Sequence, residues 1–221
     1  MDKIDKPKII LKKGAEATIY LAHWYGKEVV IKSRKVKKYR HPKLDAKLRK
    51  YRTIHEPQLM NEAKKVGVST PIIFQIDIKK MFIIMEFISG KQVKHIFGNL
   101  PLPKRRILCL EIGKLIGKLH SCGIIHGDLT TSNIILDVND RLFFIDFGLA
   151  EKQVELEARG VDLHLMKRGL QSTHNKYAQD SFRKIMEGYS IIMGESFAKV
   201  ILKKIQEIER RGRYIEERKV K

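Results

Sequence analysis

Two short stretches constrain this chain most: IIHGDLTTSNIIL at residues 124–136 and FFIDFGLA at residues 143–150. Asn133 follows Asp128 by five residues, and Asp146 follows Asn133 by thirteen. Magnesium prefers hard oxygen ligands, and phosphoryl transfer needs positioning and charge neutralisation more than covalent help from the protein. The pattern therefore predicts a phosphoryl-transfer site. Asp146 and Asn133 would be metal ligands, and Asp128 the catalytic base or the residue that orients the acceptor.

A predicted strand that ends at Lys32 precedes these stretches, with the sequence Glu-Val-Val-Ile-Lys. A lysine at this position matches the strand lysine that contacts the α- and β-phosphates of ATP. Such a lysine needs a carboxylate partner, for which Glu56 and Glu62 are the candidates and Glu56 is preferred. Because Pro57 follows Glu56 directly, the helix predicted at 43–66 should break there or begin at about Pro57. The choice between the two glutamates stays open.

The stretch KKGAEATIY at residues 12–20 lies between the first two predicted strands, where a phosphate-binding loop is expected. Gly14 is its one glycine, and the small Ala15 and Ala17 would allow backbone N–H groups to approach phosphate. Glu16 would lie close to the phosphates, so we expect it to bind metal or to pair with a lysine.

The stretch MFIIMEFISG at residues 81–90 is typical of the connection between two lobes that holds adenine by main-chain hydrogen bonds. Met85 is expected behind the base. Glu86 and Ile88 would offer backbone groups to its edge. These three residues complete the predicted nucleotide site.

The order of predicted elements indicates an α+β fold with two lobes. β-branched and aromatic runs broken by glycine predict strands, and apolar residues at helical spacing predict helices. We expect a β-rich N-lobe over residues 1–88 and a helical C-lobe over residues 89–221, with the site between them. The predicted strands are 9–11, 17–23, 28–32, 72–78 and 80–87, followed by a hairpin at 134–136 and 142–145, and the predicted C-lobe helices are 104–122, 162–170, 177–192 and 195–210.

The charge of the chain predicts an acidic partner. It carries 45 Lys and Arg against 25 Asp and Glu, for a formal net charge of +20. Residues 32–52 hold eleven of the basic residues and one acid, Asp45, and residues 199–221 hold nine basic residues and four glutamates. Nucleic acid is the first expectation for such blocks and an anionic membrane a distant second.

Cysteine content and hydropathy favour a cytoplasmic protein without a membrane span. Cys109 and Cys122 are the two cysteines and do not form a CxxC pair, so neither a disulfide framework nor a zinc site is expected. The first residues have no apolar core of a signal peptide, and the longest apolar runs are too short to span a bilayer.

Six stretches together resemble one family, the small atypical kinase/ATPase of the KEOPS complex, of the PRPK type. They are KGAEA, VIKSRKVKKYRHPKLDAKLR, EFISG, IIHGDLTTSN, FFIDFGLA and VDLHLMKRGLQSTH, and the resemblance covers roughly residues 9–215. It implies a minimal protein-kinase-like fold, a site for ATP and Mg²⁺, and activity as a serine/threonine kinase or ATPase. It also implies partnership with the threonylcarbamoyltransferase subunit, the other KEOPS subunits and tRNA.

The resemblance also assigns roles to individual residues. Lys32 becomes the phosphate-binding lysine with Glu56 as its partner, Asp128 the catalytic aspartate, and Asn133 and Asp146 the metal ligands. With RNA implied as a partner, the basic C-terminal segment is expected to contact tRNA phosphates through Arg210, Arg211, Arg213 and Lys219.

The chain lacks the features of activation-loop control. Gly127 stands where a kinase has an arginine before the catalytic aspartate, and residues 149–160 contain no Ser, Thr or Tyr and no Ala-Pro-Glu. His126 is interpreted as structural, with its imidazole bonding the backbone near Asp146. We therefore expect no activation segment, and we hypothesise that a bound partner completes and controls the site.

Two other functions remain open at this point. One is a RIO-like kinase in ribosome assembly, which would be similarly small and without an activation segment. The other is a tRNA-binding scaffold with a vestigial ATP site. Retention of Lys32, Asp128, Asn133 and Asp146 favours catalysis over a scaffold, which has no need for all four. Aminoglycoside-type phosphotransferases share the HGDL pattern, but the helical lobe here is too short for a separate small-molecule pocket.

Overall fold

The computed structural model describes the backbone of residues 4–219 and the side chains of residues 9–211. Its first half is an antiparallel sheet in the order β1-β2-β3-β5-β4. β-branched and aromatic residues fill these strands, and Tyr25 and Gly26, both with positive φ, make the tight turn between the second and third. The strands are β1 (Ile4–Lys13), β2 (Thr18–Trp24), β3 (Lys27–Ser33), β4 (Ile73–Asp77) and β5 (Phe82–Glu86).

One long helix, α1 (Pro42–Lys65), accompanies this sheet. The prediction of a break at Pro57 was wrong, because the helix continues through it. Proline removes one helical hydrogen bond, which packing can offset. Glu56, Pro57, Leu59, Met60 and Ala63 are all buried on α1, and this packing holds the helix together.

The second half is mainly helical, with short strands beside the site. The strands form one sheet in the order β6-β8-β9, which confirms the predicted hairpin, and a two-stranded pair of β7 and β10. In chain order the elements are β6 (Gly90–Gln92), α2 (Val93–Ile96), α3 (Leu102–Ser121), β7 (Ile124–Ile125), β8 (Ile134–Asp137), β9 (Leu142–Phe144), β10 (Glu151–Lys152), α4 (Leu156–Thr173), α5 (Asn175–Met193) and α6 (Glu195–Lys219).

The last helix is longer than the sequence predicted. We expected it to end at residue 210, but α6 continues to Lys219. Gly212 interrupts the run of helix-forming residues, but a single glycine costs a helix only about 1 kcal/mol. The neighbouring Arg, Glu and Ile residues are good or neutral helix formers, so the helix continues through it.

A single apolar cluster joins the two halves and fixes the site between them. It contains Met60 of α1 and Met85 of β5 together with Ile112 of α3 and Phe144 of β9. Helices α3 and α5 cross closely at Gly113, where the lack of a side chain permits the approach. A Cβ atom on Gly113 would overlap the carbonyl oxygen of Ile185. The loops that carry Asp128 and Asp146 therefore start from well-packed elements.

Candidate nucleotide and metal site

Lys32 lies at the centre of an ion-pair network between the two halves. Its Nζ atom is 2.6 Å from Oε1 of Glu56 and 2.5 Å from Oδ1 of Asp146. Lys32 lies on β3, opposite Ile19 of β2 and Ile83 of β5, and Glu56 faces it from α1. Both Lys32 and Glu56 are buried, so each needs the other's opposite charge. Glu56 is thus the glutamate that pairs with Lys32.

Glu62, the other candidate, pairs elsewhere. Its carboxylate is 2.7 Å from Nζ of Lys152 on β10. The two glutamates are six residues apart on α1, so they lie on different sides of the helix.

Sequence reasoning missed Arg34, which also binds Glu56. Nη2 of Arg34 donates to Oε2 of Glu56, so each oxygen of this carboxylate has its own cation. Arg34 is buried, at 3% exposure. The only signal in the sequence was a second basic residue two positions after Lys32, on the same face of an extended chain.

Asp128 and Asn133 are held together by direct hydrogen bonds. Nδ2 of Asn133 donates to the main-chain oxygen and to Oδ2 of Asp128, both at 2.8 Å. This orientation commits the amide nitrogen to Asp128 and leaves the amide oxygen of Asn133 as an acceptor. The short 3₁₀ turn Thr131–Asn133 sets the spacing between the two side chains.

Asp146 has the backbone and the charge state expected of a metal ligand. Its φ of +63° lies in the left-handed region, which non-glycine residues adopt uncommonly, in tight turns and at functional sites. Burial raises the pKa of Asp146, but the Lys32 ammonium outweighs this effect and lowers the pKa to about 2. The carboxylate therefore stays ionised at neutral pH.

The donor set at this site fits magnesium. Asp146 supplies an ionised carboxylate and Asn133 an amide oxygen, both of them hard ligands. No group of three or more His, Cys, Asp or Glu residues suited to a metal occurs in the part of the chain that is described. Magnesium commonly takes one or two protein ligands and completes its octahedron with water and phosphate oxygens, so a two-residue set is sufficient.

His126 has the structural role that the sequence predicted. Its Nε2 atom lies 3.1 Å from the main-chain oxygen of Ile145, directly before Asp146. Its ring also packs against Phe147, with ring centroids 4.7 Å apart. The histidine thereby links the loop of Asp128 to the loop of Asp146.

Asp162 of α4 anchors the catalytic loop, a role that the sequence did not reveal. Its carboxylate accepts hydrogen bonds from the N–H groups of His126 (2.8 Å) and Gly127 (3.0 Å), and it lies 3.2 Å from Nε2 of His120. Burial raises the pKa of Asp162, but the bond with His120 and the nearby ring of His126 outweigh burial and lower it. The acid follows Gly127 by 35 residues, so no local pattern pointed to it.

Gly127 occupies a position with no room for a side chain. Its φ is +78°, and a Cβ atom there would overlap the main-chain oxygen of Leu149. Any side chain before Asp128, including that arginine, would therefore require the main chain at Leu149 to move.

The predicted phosphate loop is tied to α1 and to the segment just before it by an unexpected set of ion pairs. Oε1 of Glu16 accepts from Arg40 at 2.5 Å, and Oε2 accepts from Arg52 at 2.5 Å. The expectation of metal or a lysine as the partner of Glu16 was therefore wrong, since two arginines take both oxygens. The N–H group of Gly14 bonds the main-chain oxygen of Ala17 at 2.9 Å, so it is not free for phosphate.

A cavity of about 240 Å³ collects seven of the twelve residues that the sequence predicted for the nucleotide, the metal and catalysis. Residues 14–17 line it together with Lys32, Asp128 and Asp146, and Arg34 and Arg52 also border it. Glu56 and Asn133 lie behind this wall, in contact with Lys32 and Asp128 respectively. A larger groove of about 830 Å³ between α4, α5 and α6 contains none of the predicted site residues.

The predicted adenine-binding residues lie outside this cavity. Met85 and Ile88 are buried, each at 7% exposure. The N–H group of Glu86 bonds the main-chain oxygen of Ile72 at 2.8 Å, and its side chain accepts from the N–H group of Ile72 at 3.0 Å. Within residues 4–219 no backbone hydrogen bond occupies the N–H group of Ile88.

Two of the four basic residues predicted to contact tRNA have described side chains. Arg210 is exposed, and Arg211 forms an ion pair with Glu157 of α4 at 2.5 Å. The side chains of Arg213 and Lys219 lie outside the described residues, although the backbone of both belongs to α6. Among the described helices none is long and apolar enough to cross a membrane.

Comparison with known proteins identifies the family of this chain. The family model described as protein kinase domain matches residues 8–169. The chain is similar to the KEOPS complex subunit Bud32 of Pyrococcus abyssi, with 48% identity over 94% of this chain and 96% of that protein. It is also similar to the EKC/KEOPS complex subunit bud32 of Dictyostelium discoideum, with 36% identity over 96% of this chain and 85% of the relative.

Two further similarities are partial. A probable bifunctional tRNA threonylcarbamoyladenosine biosynthesis protein of Methanothermobacter thermautotrophicus is 44% identical over 96% of this chain, which spans 38% of that longer protein. The crystal structure of the Rio2 kinase from Chaetomium thermophilum matches with a TM-score of 0.58 over 91% of this chain and 71% of that one. At 17% identity this last likeness concerns the fold alone. By its site and by the extent of these matches, the chain belongs to the protein kinase family and, within it, to the Bud32 subunits of the KEOPS complex.

Proposed function

We propose that this protein binds ATP with Mg²⁺ in the cleft between its two halves and hydrolyses the nucleotide or transfers its γ-phosphate. The observation that carries the proposal is the position of Lys32 between Glu56 and Asp146, at 2.6 and 2.5 Å. A buried lysine held on both sides by carboxylates is costly as a purely structural device, because desolvation offsets most of the attraction. The same arrangement is well suited to hold a cation against phosphate.

The remaining residues have complementary roles in this proposal. Asp146 and Asn133 would hold Mg²⁺, which neutralises charge on the phosphates when it is bound. Asp128 orients the acceptor hydroxyl or water, and its own orientation is set by the 2.8 Å bond from Asn133. Lys32 binds the α- and β-phosphates while Glu56 keeps its ammonium in place.

The adenine would lie against the connection between the two halves. Met85 of β5 forms the buried wall behind the base. The N–H group of Glu86 is already bonded to the main-chain oxygen of Ile72. The groups that would face the base are therefore the main-chain oxygen of Glu86 and the N–H group of Ile88. The phosphates would then extend towards Lys32 and residues 14–17.

The wider role follows from the relatives and the charge. We propose that the chain acts in a KEOPS complex, with the threonylcarbamoyltransferase and the other subunits, to support formation of threonylcarbamoyladenosine in tRNA. The P. abyssi relative is named as a KEOPS subunit and the longer relative as a protein of that biosynthesis. The net charge of +20 favours contact with RNA.

The direct test measures ATP turnover with Mg²⁺ in the wild type and in Asp146→Ala and Asp128→Ala. We expect each substitution to lower turnover at least 100-fold, because metal coordination and acceptor orientation carry most of this chemistry. Asp180→Ala serves as the matched control, since Asp180 pairs with Arg106 on the surface of α5 and α3, away from the cavity. Equal turnover in all four proteins, or none with any partner, would favour a tRNA-binding scaffold.

A second experiment tests control by a partner. Addition of the purified transferase subunit should change the rate of ATP turnover, because residues 149–160 offer no phosphorylation site for control within the chain. Complex formation is verified by size-exclusion chromatography in the same samples. An unchanged rate in the verified complex would exclude this form of control.

A further inference from the structure

Glu16 and Arg52 form an ion pair in the wall of the nucleotide cavity. Nη1 of Arg52, on α1, donates to Oε2 of Glu16 at 2.5 Å, and the same cavity wall contains Asp128 and Asp146. Those two aspartates have roles in the proposed chemistry, as the residue that orients the acceptor and as a metal ligand. Glu16 is the third acid among the described residues of this wall and has no such role. Its negative charge would repel a phosphate group placed beside it.

The carboxylate of Glu16 is held by donors of two arginines. Besides the bond from Arg52, Arg40 donates to both oxygens, from Nη2 to Oε1 at 2.5 Å and from Nη1 to Oε2 at 3.1 Å. The hydrogen bond from Arg40 lowers the pKa of Glu16 against the opposing effect of burial, and the charge of Arg52 lowers it further. Glu16 is therefore an anion at neutral pH, and it takes arginine donors that also suit phosphate oxygens.

Arg52 has donors that a ligand in the cavity can reach, unlike the other arginine of the cavity wall. Its side chain is 21% exposed, and none of its donor atoms is buried without a partner. Arg34 also borders the cavity, but its Nη2 atom is bonded to Glu56 and its other two donors are buried. Arg52 is thus the arginine of this wall that can exchange one acceptor for another.

The tip of the predicted phosphate loop can release Glu16 without the loss of main-chain bonds. The bond from the N–H group of Gly14 to the main-chain oxygen of Ala17 closes the turn. Ala15 and Glu16 form its tip, and within residues 4–219 neither takes part in a backbone hydrogen bond. A rotation of the Glu16 side chain therefore breaks only its bonds with the arginines. Partly exposed ion pairs of this kind contribute little to stability, so a more highly charged ligand can replace the carboxylate.

We propose that Arg52 binds a phosphate group of the nucleotide and that Glu16 competes with this phosphate for Arg52. The inference rests on the proposed function, since it adds a contact to the same ligand. Guanidinium groups bind phosphate through charge-assisted, bidentate hydrogen bonds, and a phosphate group carries more negative charge than a carboxylate. The phosphate therefore displaces Glu16, which keeps Arg40 as its partner. Arg40 is not among the described residues that line the cavity.

The competing explanation is that both arginines only anchor the loop to α1 and to the segment before it. In that case Arg40, which donates to both oxygens of Glu16, should matter at least as much as Arg52. Competition with phosphate gives the two arginines different roles, because only Arg52 borders the cavity. Arg40→Gln is therefore the matched control for Arg52→Gln.

The test compares ligands that differ in their phosphates. Dissociation constants of ATP, adenosine and inorganic tripolyphosphate, each with Mg²⁺, are measured by calorimetry for the wild type and the variants. Arg52→Gln should weaken ATP and tripolyphosphate about 10-fold, as for the loss of a charge-assisted hydrogen bond, and Arg40→Gln should weaken neither. Glu16→Gln should tighten both ligands about 2–5-fold, because glutamine lacks the charge that competes for Arg52. Adenosine affinity should stay unchanged in all three variants.

A double variant tests the competition itself. Glu16→Gln should tighten ATP more in the wild-type background than in Arg52→Gln, because the effect of Glu16 acts through Arg52. An equal gain in both backgrounds would show that Glu16 only repels phosphate and would overturn the proposal. Equal losses of ATP affinity in Arg40→Gln and Arg52→Gln, or a loss in Glu16→Gln, would overturn it in favour of a loop anchor. Melting temperatures verify that every variant is folded.

Failure of the proposed function gives a different result. If the wild type binds tripolyphosphate but neither ATP nor adenosine, the nucleotide assignment is wrong, and tripolyphosphate still tests Arg52 because it binds through phosphate alone. If neither the wild type nor Glu16→Gln binds any of the phosphates, both proposals are overturned. A wild type that binds ATP equally well with and without Arg52 leaves the proposed function intact and removes only the further contact.

Discussion

Lys152 and Glu62 form an ion pair, with Nζ and Oε2 2.7 Å apart, that joins the end of β10 to helix α1. Glu62 lies on the helix that carries Glu56, and Lys152 follows Asp146 by six residues. Lys152 also donates to the main-chain oxygen of Cys122 at 3.0 Å. In kinases with an activation loop, its phosphorylation controls the position of the equivalent helix. Here an ion pair that needs no phosphorylation links the same two parts of the molecule.

The first prediction concerns this pair. Glu62→Lys and Lys152→Glu should each lower ATP turnover several-fold, because like charges would push α1 and its Glu56 away from Lys32. Both residues are about half exposed, so the loss of stability should stay below about 1 kcal/mol. The charge-swapped double variant should recover most of the turnover. The measurements are ATP turnover and thermal melting.

A surface pair on α5 is the control for this experiment. Lys184 and Glu187 lie 2.6 Å apart, and reversing them changes the same charges away from α1. Turnover should not respond to that reversal. A double variant as impaired as the two single ones would show that the attraction between Glu62 and Lys152 does not position α1.

The second prediction concerns Gly127. Gly127→Ala should destabilise the protein by about 1–3 kcal/mol and greatly reduce turnover, because its φ of +78° is unfavourable for alanine and the Cβ atom would collide with Leu149. Gly26→Ala is the matched control, since Gly26 has a φ of +72° but nothing within 4 Å. It should show the smaller backbone cost alone and full turnover. Equal melting temperatures for the two variants would contradict the close contact at Gly127.

The third prediction concerns Asp162 as an anchor of the catalytic loop. Asp162→Asn removes the negative charge and replaces one of the two accepting oxygens by an NH2 donor, which leaves one buried N–H group without its acceptor, so we expect a loss of about 1–3 kcal/mol in unfolding free energy. Turnover should fall as well, because the loop also carries Asp128. The exposed change Asp180→Asn should affect neither quantity. Full turnover in Asp162→Asn would show that the loop keeps its shape without this anion.

The sequence predicted the parts of the site whose partners are nearby or whose spacing is diagnostic. Asp128 and Asn133 touch each other within one loop, Lys32 lies next to the last residue of β3, and Asp146 follows the end of β9 by two residues. The two-part order of strands and helices followed from hydrophobic periodicity in the same way. These features depend on local chain geometry, which residue patterns report directly.

The parts that the sequence missed depend on contacts between distant segments. The role of Arg34 depends on its contact with Glu56. The role of Asp162 depends on the N–H groups of a loop 35 residues earlier. Glu16 had a clear charge but no predictable partner, because Arg40 and Arg52 reach it only after α1 packs on the sheet. The break predicted at Pro57 was wrong for a related reason, because the burial of α1 outweighs one lost hydrogen bond.

The fourth prediction is the pH dependence of the pair between Lys32 and Asp146. The pKa of Asp146 is about 2 in the folded protein, against about 4 in an unfolded chain. Its contribution to stability is therefore complete above about pH 4 and is lost as the pH falls towards 2. The difference in melting temperature between the wild type and Asp146→Asn should shrink from pH 6 to pH 3. A difference that stays constant over this range would contradict the lowered pKa.

The fifth prediction concerns the basic end of α6. Deletion of residues 210–221 removes six Lys and Arg residues and two glutamates. We expect weaker tRNA binding. The slope of the logarithm of the association constant against the logarithm of the salt concentration should become shallower by about 0.7–0.9 per lost phosphate contact. Turnover of ATP should persist, because the described residues that line the cavity all precede position 150. The slopes are obtained from binding isotherms measured at about 50 to 300 mM salt, a range that includes physiological ionic strength.

A milder variant separates charge from helix length. Arg210→Gln with Arg211→Gln keeps the length of α6 but removes two charges and the ion pair of Arg211 with Glu157. That pair is exposed, so its loss should change stability by less than about 1 kcal/mol. The salt slope should fall by roughly the share of contacts that these two arginines make. If both the deletion and the double variant kept the wild-type slope, the RNA would bind another basic segment, for which residues 32–52, with eleven Lys and Arg and one acid, are the first candidate.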